Sequence, residues 1–265
     1  MVDSNYEVFA IRYATHDRPR RMNFMQVDEH HAAPMPMDFF VWLLRSPGRT
    51  VLVDTGFNAA MAERRGRTLL RCPIQALKVL GVEPQTISDV ILTHLHYDHA
   101  GNLDKLPNAR FHLQDDEVTY ATGRCMCRPA LRHAYDVQDM IELMRKLYSD
   151  RVVFHDGDTL FAPGIELLRI GGHTRGLQAV RVCTARGWVV LASDASHYYE
   201  NMERDRPFPI VYHVGEMLEG YRKITAAAQS PQHVVPGHDP QVLQRYPAFG
   251  NDAIGVACLH LPPHA

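Results

Sequence analysis

Short apolar runs recur along the chain at residues 8–11, 39–44, 50–53, 90–92, 110–113, 165–170, 179–182, 188–192 and 233–235. Several are rich in Val and Ile and bounded by Gly, Pro or Asp, which predicts strands. Three intervening stretches carry a helical period instead. Residues 73–80 end at Gly81, a fitting C-cap. In 139–148, Met140, Met144 and Leu147 share one face, and in 214–228 Met217, Leu218, Tyr221 and Ile224 form a stripe. Strands in both halves with helices between them predict two packed sheets flanked by helices, an α/β layered sandwich. No Pro- or Ser-rich linker interrupts the pattern, so residues 1–265 are expected to form a single domain. The stretch 124–150, with its own amphipathic helix, is a candidate lid or an ordinary helical excursion.

Composition narrows the class. The 265 residues carry 28 basic and 30 acidic side chains, a formal charge of −2, with 46% apolar residues. That balance offers no broad basic field for nucleic acid and no polybasic membrane anchor. Arg pairs such as Arg20-Arg21 and Arg64-Arg65 are expected on solvated faces. The N-terminal residues lack the pattern of a secretory signal, and no apolar run approaches membrane-spanning length. The five cysteines are odd in number and scattered. They do not form a disulfide framework, which points to the cytoplasm. The 16 histidines are the exception to an ordinary composition, and histidine is the commonest metal ligand.

The histidines concentrate in Thr93-His94-Leu95-His96-Tyr97-Asp98-His99-Ala100-Gly101, directly after the predicted strand at 90–92. Three imidazoles and a carboxylate exceed what one zinc needs, so the run predicts two metal ions. His94 and His96 can turn to one, Asp98 and His99 to the other. Donors without thiolate suit Zn first, with Fe, Mn or Co as alternatives. Further ligand types follow other predicted strands: His173 after Gly171-Gly172, Asp194 after Ser193, and His238 after Gly237. Loops at strand ends carry function on a rigid scaffold.

This set, His94-x-His96-x-Asp98-His99 with His173, Asp194 and His238, resembles the metallo-β-lactamase superfamily from about residue 51 to 239. The resemblance implies a four-layer αβ/βα sandwich with metals between the sheet edges. It implies that His94, His96 and His173 hold the first metal, that Asp98, His99 and His238 hold the second, and that Asp194 bridges them. Asp54 matches a position used structurally beside the site.

Within the superfamily, His99 and Asp194 argue against the true β-lactamases. The short tail after His238 argues against glyoxalase II, and the charge balance against the nuclease branches. The remaining likeness is to the N-acyl homoserine lactonases, which are quorum-quenching enzymes. They place a tyrosine three residues after the bridging aspartate, where this chain has His197, followed by Tyr198 and Tyr199. The implied reaction opens a small lactone, such as an N-acyl homoserine lactone, by attack of a hydroxide bridging two metals. Asp98 passes a proton to the leaving oxygen, and His197 or Tyr198 polarises the carbonyl. The alternatives are hydrolysis of another ester, amide or thioester on the same centre, or a non-hydrolytic di-iron protein. The expected partner is a small lactone or ester, with the protein a monomer or homodimer. Pocket walls are expected from segments 16–37 and 124–150.

Overall fold

The computed structural model describes residues 5–251 and 255–264. Its strands, in chain order, are β1 (Glu7–His16), β2 (Met37–Ser46), β3 (Arg49–Val53), β4 (Thr68–Leu69), β5 (Asp89–Ile91), β6 (Arg110–Gln114), β7 (Val152–His155), β8 (Thr159–Ala162), β9 (Ile165–Arg169), β10 (Gln178–Thr184), β11 (Gly187–Ser193), β12 (Val234–Pro236) and β13 (Val256–Cys258). One sheet runs β13-β1-β2-β3-β5-β6-β7, with β4 also paired to β1, and the other runs β12-β11-β10-β9-β8. Pairing is antiparallel from β13 to β3 and parallel from β3 to β7. In the second sheet only β11 and β12 are parallel.

The period of two along β1 and β2 sorts their side chains between two cores. Val8, Ala10, Phe40, Trp42 and Leu44 face the second sheet and meet Ile165, Leu167, Val180, Val182 and Leu191. Phe9, Ile11, Phe39, Val41 and Leu43 face outward under a helical layer that contributes Met61, Ile74, Leu77 and Leu143. On the far face of the second sheet, Leu168, Ala179 and Val190 pack against Met217, Tyr221 and Ile224 of helix Val214–Ala227. The layers are therefore helix, sheet, sheet, helix, as the likeness implied.

All nine expected strands form. Four others, β4, β7, β8 and β13, were not anticipated. Each is two to four residues long, and β7 and β8 are largely half-buried, so their sequences carry little hydrophobic contrast. Residues 73–80 split into an α-turn, Pro73–Ala76, and a 3-10 turn, Leu77–Leu80. Arg20 departs from the solvated reading. Its guanidinium meets Asp28 and Glu200 and joins Arg206 in a network that ties the loop after β1 to helix Tyr199–Glu203. No helix among the described residues is long and apolar enough to cross a membrane.

Candidate metal centre

Parallel pairing of β3 and β5 puts their C-terminal ends side by side, and the site begins there. Asp54, the residue after β3, adopts a left-handed backbone with φ 61°, a conformation that Asp tolerates better than most residues. Its fully buried carboxylate accepts from the Thr93 amide at 2.7 Å, the Thr93 hydroxyl at 2.8 Å and His99 Nδ1 at 2.7 Å. Thr93 also meets Ser193 Oγ at 2.8 Å, joining the two sheets one residue before Asp194.

His173 reaches the site from a Gly171-Gly172 turn with φ 73° and 81°. A Cβ on Gly172 would lie 2.4 Å from the Met217 amide nitrogen, so only glycine lets this loop close on the helix. His238 follows β12, and its Nδ1 donates to the Asp38 carbonyl at 2.9 Å. His173 Nδ1 likewise donates to the Ile210 carbonyl at 2.7 Å. With His99 held by Asp54, three rings have Nδ1 occupied outward and Nε2 aimed inward, the arrangement that outer partners impose on metal-binding imidazoles.

The seven expected ligands converge. His96 Nδ1 lies 3.0 Å from His94 Nε2 and 2.9 Å from His173 Nε2. Asp194 divides its oxygens between two groups. Oδ2 is 3.1 Å from His173 Nε2 and 3.7 Å from His94 Nε2. Oδ1 is 2.9 Å from His238 Nε2 and 3.2 Å from His99 Nε2. Asp98 sits 3.8 Å from both of these last two rings. The donor atoms of His94, His96, His173 and Asp194 all lie within 4.8 Å of one another, as do those of Asp98, His99 and His238.

This donor set fits divalent ions. Three ring nitrogens facing one another cannot all satisfy one another by hydrogen bonds, and buried His99 Nε2, though 3.2 Å from Asp194 Oδ1, makes no well-directed hydrogen bond. Burial pushes His94 and His96 well below the usual imidazole range, and neighbouring imidazoles push them further, leaving them in the neutral form that ligates. Burial opposes the charged forms of His99 and His238, yet Asp194 holds both above their ordinary range. Burial likewise opposes ionisation of Asp194, but His197, His238, His99 and His173 keep its carboxyl well below the usual range.

His197 belongs to the same cluster. Its Nε2 is 3.0 Å from Asp194 Oδ2, its ring stacks on Phe208 at 3.6 Å, and its Nδ1 is buried without a partner. Tyr198 is not brought to this point. Its buried hydroxyl donates to the Pro36 carbonyl at 3.2 Å, and its backbone begins helix Tyr199–Glu203. The alternation after β11 turns successive side chains apart, so His197 faces the His/Asp cluster and Tyr198 the loop after β1.

The cavity over the cluster holds about 80 Å³. Met37 and Arg18 wall it from segment 16–37, and His133 and Ala134 from segment 124–150, as expected. Across His133 lies an apolar cavity of about 440 Å³ lined by Ala121, Met126, Tyr135, Val137 and Met140. Phe208, Ile210, Arg65 and Arg67 also line the first cavity, and no motif marked them in the sequence. Arg65 departs from the expected solvated face, since its guanidinium lies 3.9 Å over the Tyr97 ring. Glu117 was missed as well. This buried carboxylate accepts from the Leu95 and Gly176 amides at 3.0 Å, the Thr174 hydroxyl at 2.6 Å and the Tyr135 hydroxyl at 3.1 Å. It thereby fastens the His94–His99 run to the His173 loop. His112 and His155 lie outside the cluster; His112 meets Asp89 through Nε2 and His155 through Nδ1.

Residues 40–245 match the sequence model of the metallo-β-lactamase superfamily. An N-acyl homoserine lactonase of a Bacillus species is 30% identical over 191 residues, covering 65% of this chain and 70% of the relative. The N-acyl homoserine lactonase AiiA of Bacillus thuringiensis subsp. kurstaki is 30% identical over 187 residues, covering 63% and 68%. Among solved structures, a quorum-quenching N-acyl homoserine lactone lactonase superposes with a TM-score of 0.75 at 22% identity, covering 91% of this chain and 95% of that one. AidC, a dizinc quorum-quenching lactonase, superposes with a TM-score of 0.70 at 16% identity, covering 91% and 89%.

Proposed function

The chain belongs to the metallo-β-lactamase superfamily, and we propose that it is a dinuclear metal-dependent hydrolase that opens a small lactone. The observation that carries this reading is the split of the Asp194 carboxylate, one oxygen toward His94 and His173, the other toward His99 and His238. A carboxylate so placed is built to bridge two ions. Relatives with about this identity are N-acyl homoserine lactonases, which supports the lactone as substrate class.

In this reading His94, His96 and His173 would hold one ion, Asp98, His99 and His238 the other, and Asp194 would contact both. Zinc is the ion we assign first, because the donors are imidazole and carboxylate without thiolate; Fe, Mn or Co also suit them. When bound, two such ions supply Lewis acidity and a water acidic enough to ionise near neutral pH.

The protein's own groups do the rest. Asp98 is the ligand carboxylate most open to the cavity, at 8% exposure, and is placed to pass a proton to the ring oxygen as it leaves. His197 lines the cavity beside Asp194 and is placed to donate toward the substrate carbonyl as negative charge develops there. Phe208 fixes that ring by stacking. The segment 124–150 contributes a wall through His133 and Ala134, and we assign it the role of a lid. The five free cysteines favour a reducing cytoplasm as the compartment.

A substrate panel tests this reading. The metal-loaded protein should open homoserine and other γ-lactones faster than it cleaves open-chain esters or amides of similar size. Faster turnover of amides or thioesters, with lactones inert, would replace the lactonase reading with another hydrolase on the same centre.

A further inference from the structure

Three guanidiniums, of Arg18, Arg65 and Arg67, line the small cavity over the metal centre. Helix Ala59–Arg65 ends at Gly66 in a left-handed cap with φ 62°, and this turn brings Arg65 and Arg67 back to the same ring. Arg65 lies over Tyr97, and Arg67 Nε donates to the Tyr97 hydroxyl at 3.1 Å. Arg18 enters from the loop after β1. It donates to the Met22 carbonyl and to Met37 Sδ, lies 5.3 Å over Phe208, and keeps a buried Nε with no partner.

Many arginines of this chain are paired, and the half-buried Arg151 and Arg186, which lack a carboxylate among the described residues, spend their N–H groups on the Ala109 and Leu106 carbonyls and on the Leu259 carbonyl and Tyr246 hydroxyl, away from the cavity. Arg12, Arg20, Arg45, Arg64, Arg110, Arg169, Arg181 and Arg206 each meet a carboxylate. Among the described residues, Arg18, Arg65 and Arg67 form no such ion pair, although all three are half-buried. Their field is felt nearby. The His16 imidazole is pushed down to about 4, by burial first and then by Arg67 and Arg18. Burial also lowers Arg18 itself. A half-buried guanidinium without a counter-charge is costly to hold beside a cavity, and a neutral acyl chain offers nothing to its N–H groups.

We propose that the substrate carries a carboxylate, which Arg18 and Arg67 bind while the lactone carbonyl is presented to the metal centre. The proposal rests on the hydrolase reading above and narrows its substrate class. The planar fork of a guanidinium matches a carboxylate with two parallel hydrogen bonds. Arg67, with Nε on the Tyr97 hydroxyl and Nη1 on the Arg65 carbonyl at 2.8 Å, offers its Nη2, while Arg65, whose Nε and Nη2 go to Met61 Sδ and the Tyr135 carbonyl, adds charge. In the reaction, water adds to the acyl carbon and the acyl–oxygen bond of the ring breaks. The ring oxygen leaves as a hydroxyl with one proton, the other proton is released, and the product is a hydroxy-dicarboxylate.

The test uses the metal-loaded protein and two γ-lactones, one with a ring carboxylate and one with the same group as a neutral amide. Wild type should open the carboxylate with kcat/KM about tenfold higher or more, the scale of a charge-assisted hydrogen bond. Arg18→Gln and Arg67→Gln should each cut the carboxylate's kcat/KM far more than the amide's. Equal rates for the two lactones in wild type overturn the proposal, whether or not a variant folds. Calorimetry with tetrahydrofuran-2-carboxylate, which has no ester to cleave, separates this idea from the hydrolase reading. Binding that weakens about tenfold in Arg67→Gln, with neither lactone opened, keeps the anion site and rejects the lactonase. Turnover of both lactones with binding indifferent to Arg67 rejects the anion site and keeps the lactonase.

Discussion

Asp54 and His99 meet at 2.7 Å, carboxylate oxygen to Nδ1, and neither side chain is open to water. Because the same carboxylate also holds Thr93, the residue before His94, one buried acid orients candidate ligands in both groups of the cluster. Asp54→Asn keeps the shape but puts an amide donor or a weaker acceptor against His99 Nδ1. The imidazole is then driven to the tautomer that blocks its inward nitrogen. Metal affinity should fall about 10–100-fold, read by competition with a chromophoric chelator. Unchanged affinity would show that Asp54 does not set the His99 tautomer.

His197 should act on rate rather than on folding. His197→Phe retains the stack on Phe208 and removes both nitrogens. We expect kcat to fall about 10²-fold, the scale of one lost transition-state donor, with KM and bound metal little altered. A loss of metal with unchanged kcat per loaded site would make His197 a ligand instead.

Glu117 is a stability test. Four donors converge on it in a buried setting, where burial pushes its carboxyl up and the Thr174 hydroxyl and the Leu95 and Gly176 amides draw it back. Glu117→Gln must turn one acceptor into a donor facing donors. The cost should be about 2–4 kcal/mol, measured by urea unfolding of the metal-free protein. A cost below about 1 kcal/mol, the scale of one ordinary hydrogen bond, would mean the loop tie is slack.

Neither Glu117 nor the arginine ring was legible in the sequence, and the reason is common to both. The seven candidate ligands were legible because they lie in four short runs that follow β5, β9, β11 and β12, and those strands are marked by hydrophobic runs followed by Gly, Ser or Thr. Glu117 sits inside helix Asp115–Thr122, in a run of acids that reads as a solvated first turn. Arg65 reads as surface charge, and Arg67 carries no motif, because the contacts that bury both run to Tyr97, far off in sequence. The layered sheets were legible from the apolar alternation, whereas β4, β7, β8 and β13 are short pairings fixed by their neighbours. Tyr198 was placed beside the metals by its nearness to Asp194 in sequence, but one residue further turns the side chain to the other face.

Asp139 predicts how stability varies with pH. Its carboxyl is pushed up to about 7, by burial first and then by Asp136, and its Oδ2 lacks a hydrogen-bond partner. In the unfolded chain an Asp ionises near 4. The folded state therefore keeps its proton longer, so this stabilising contribution is complete below pH 4 and is lost as pH rises toward 7. Asp139→Asn should be more stable than wild type by about 1–3 kcal/mol at pH 8. The advantage should shrink at pH 5. A difference independent of pH would mean that Asp139 ionises normally.

The most direct test is a metal titration. Metal-free protein is loaded stepwise with zinc while the opening of a γ-lactone is followed. The account predicts turnover that reaches its plateau at two equivalents per chain. A plateau at one equivalent, or no lactone opening at any loading, would contradict it.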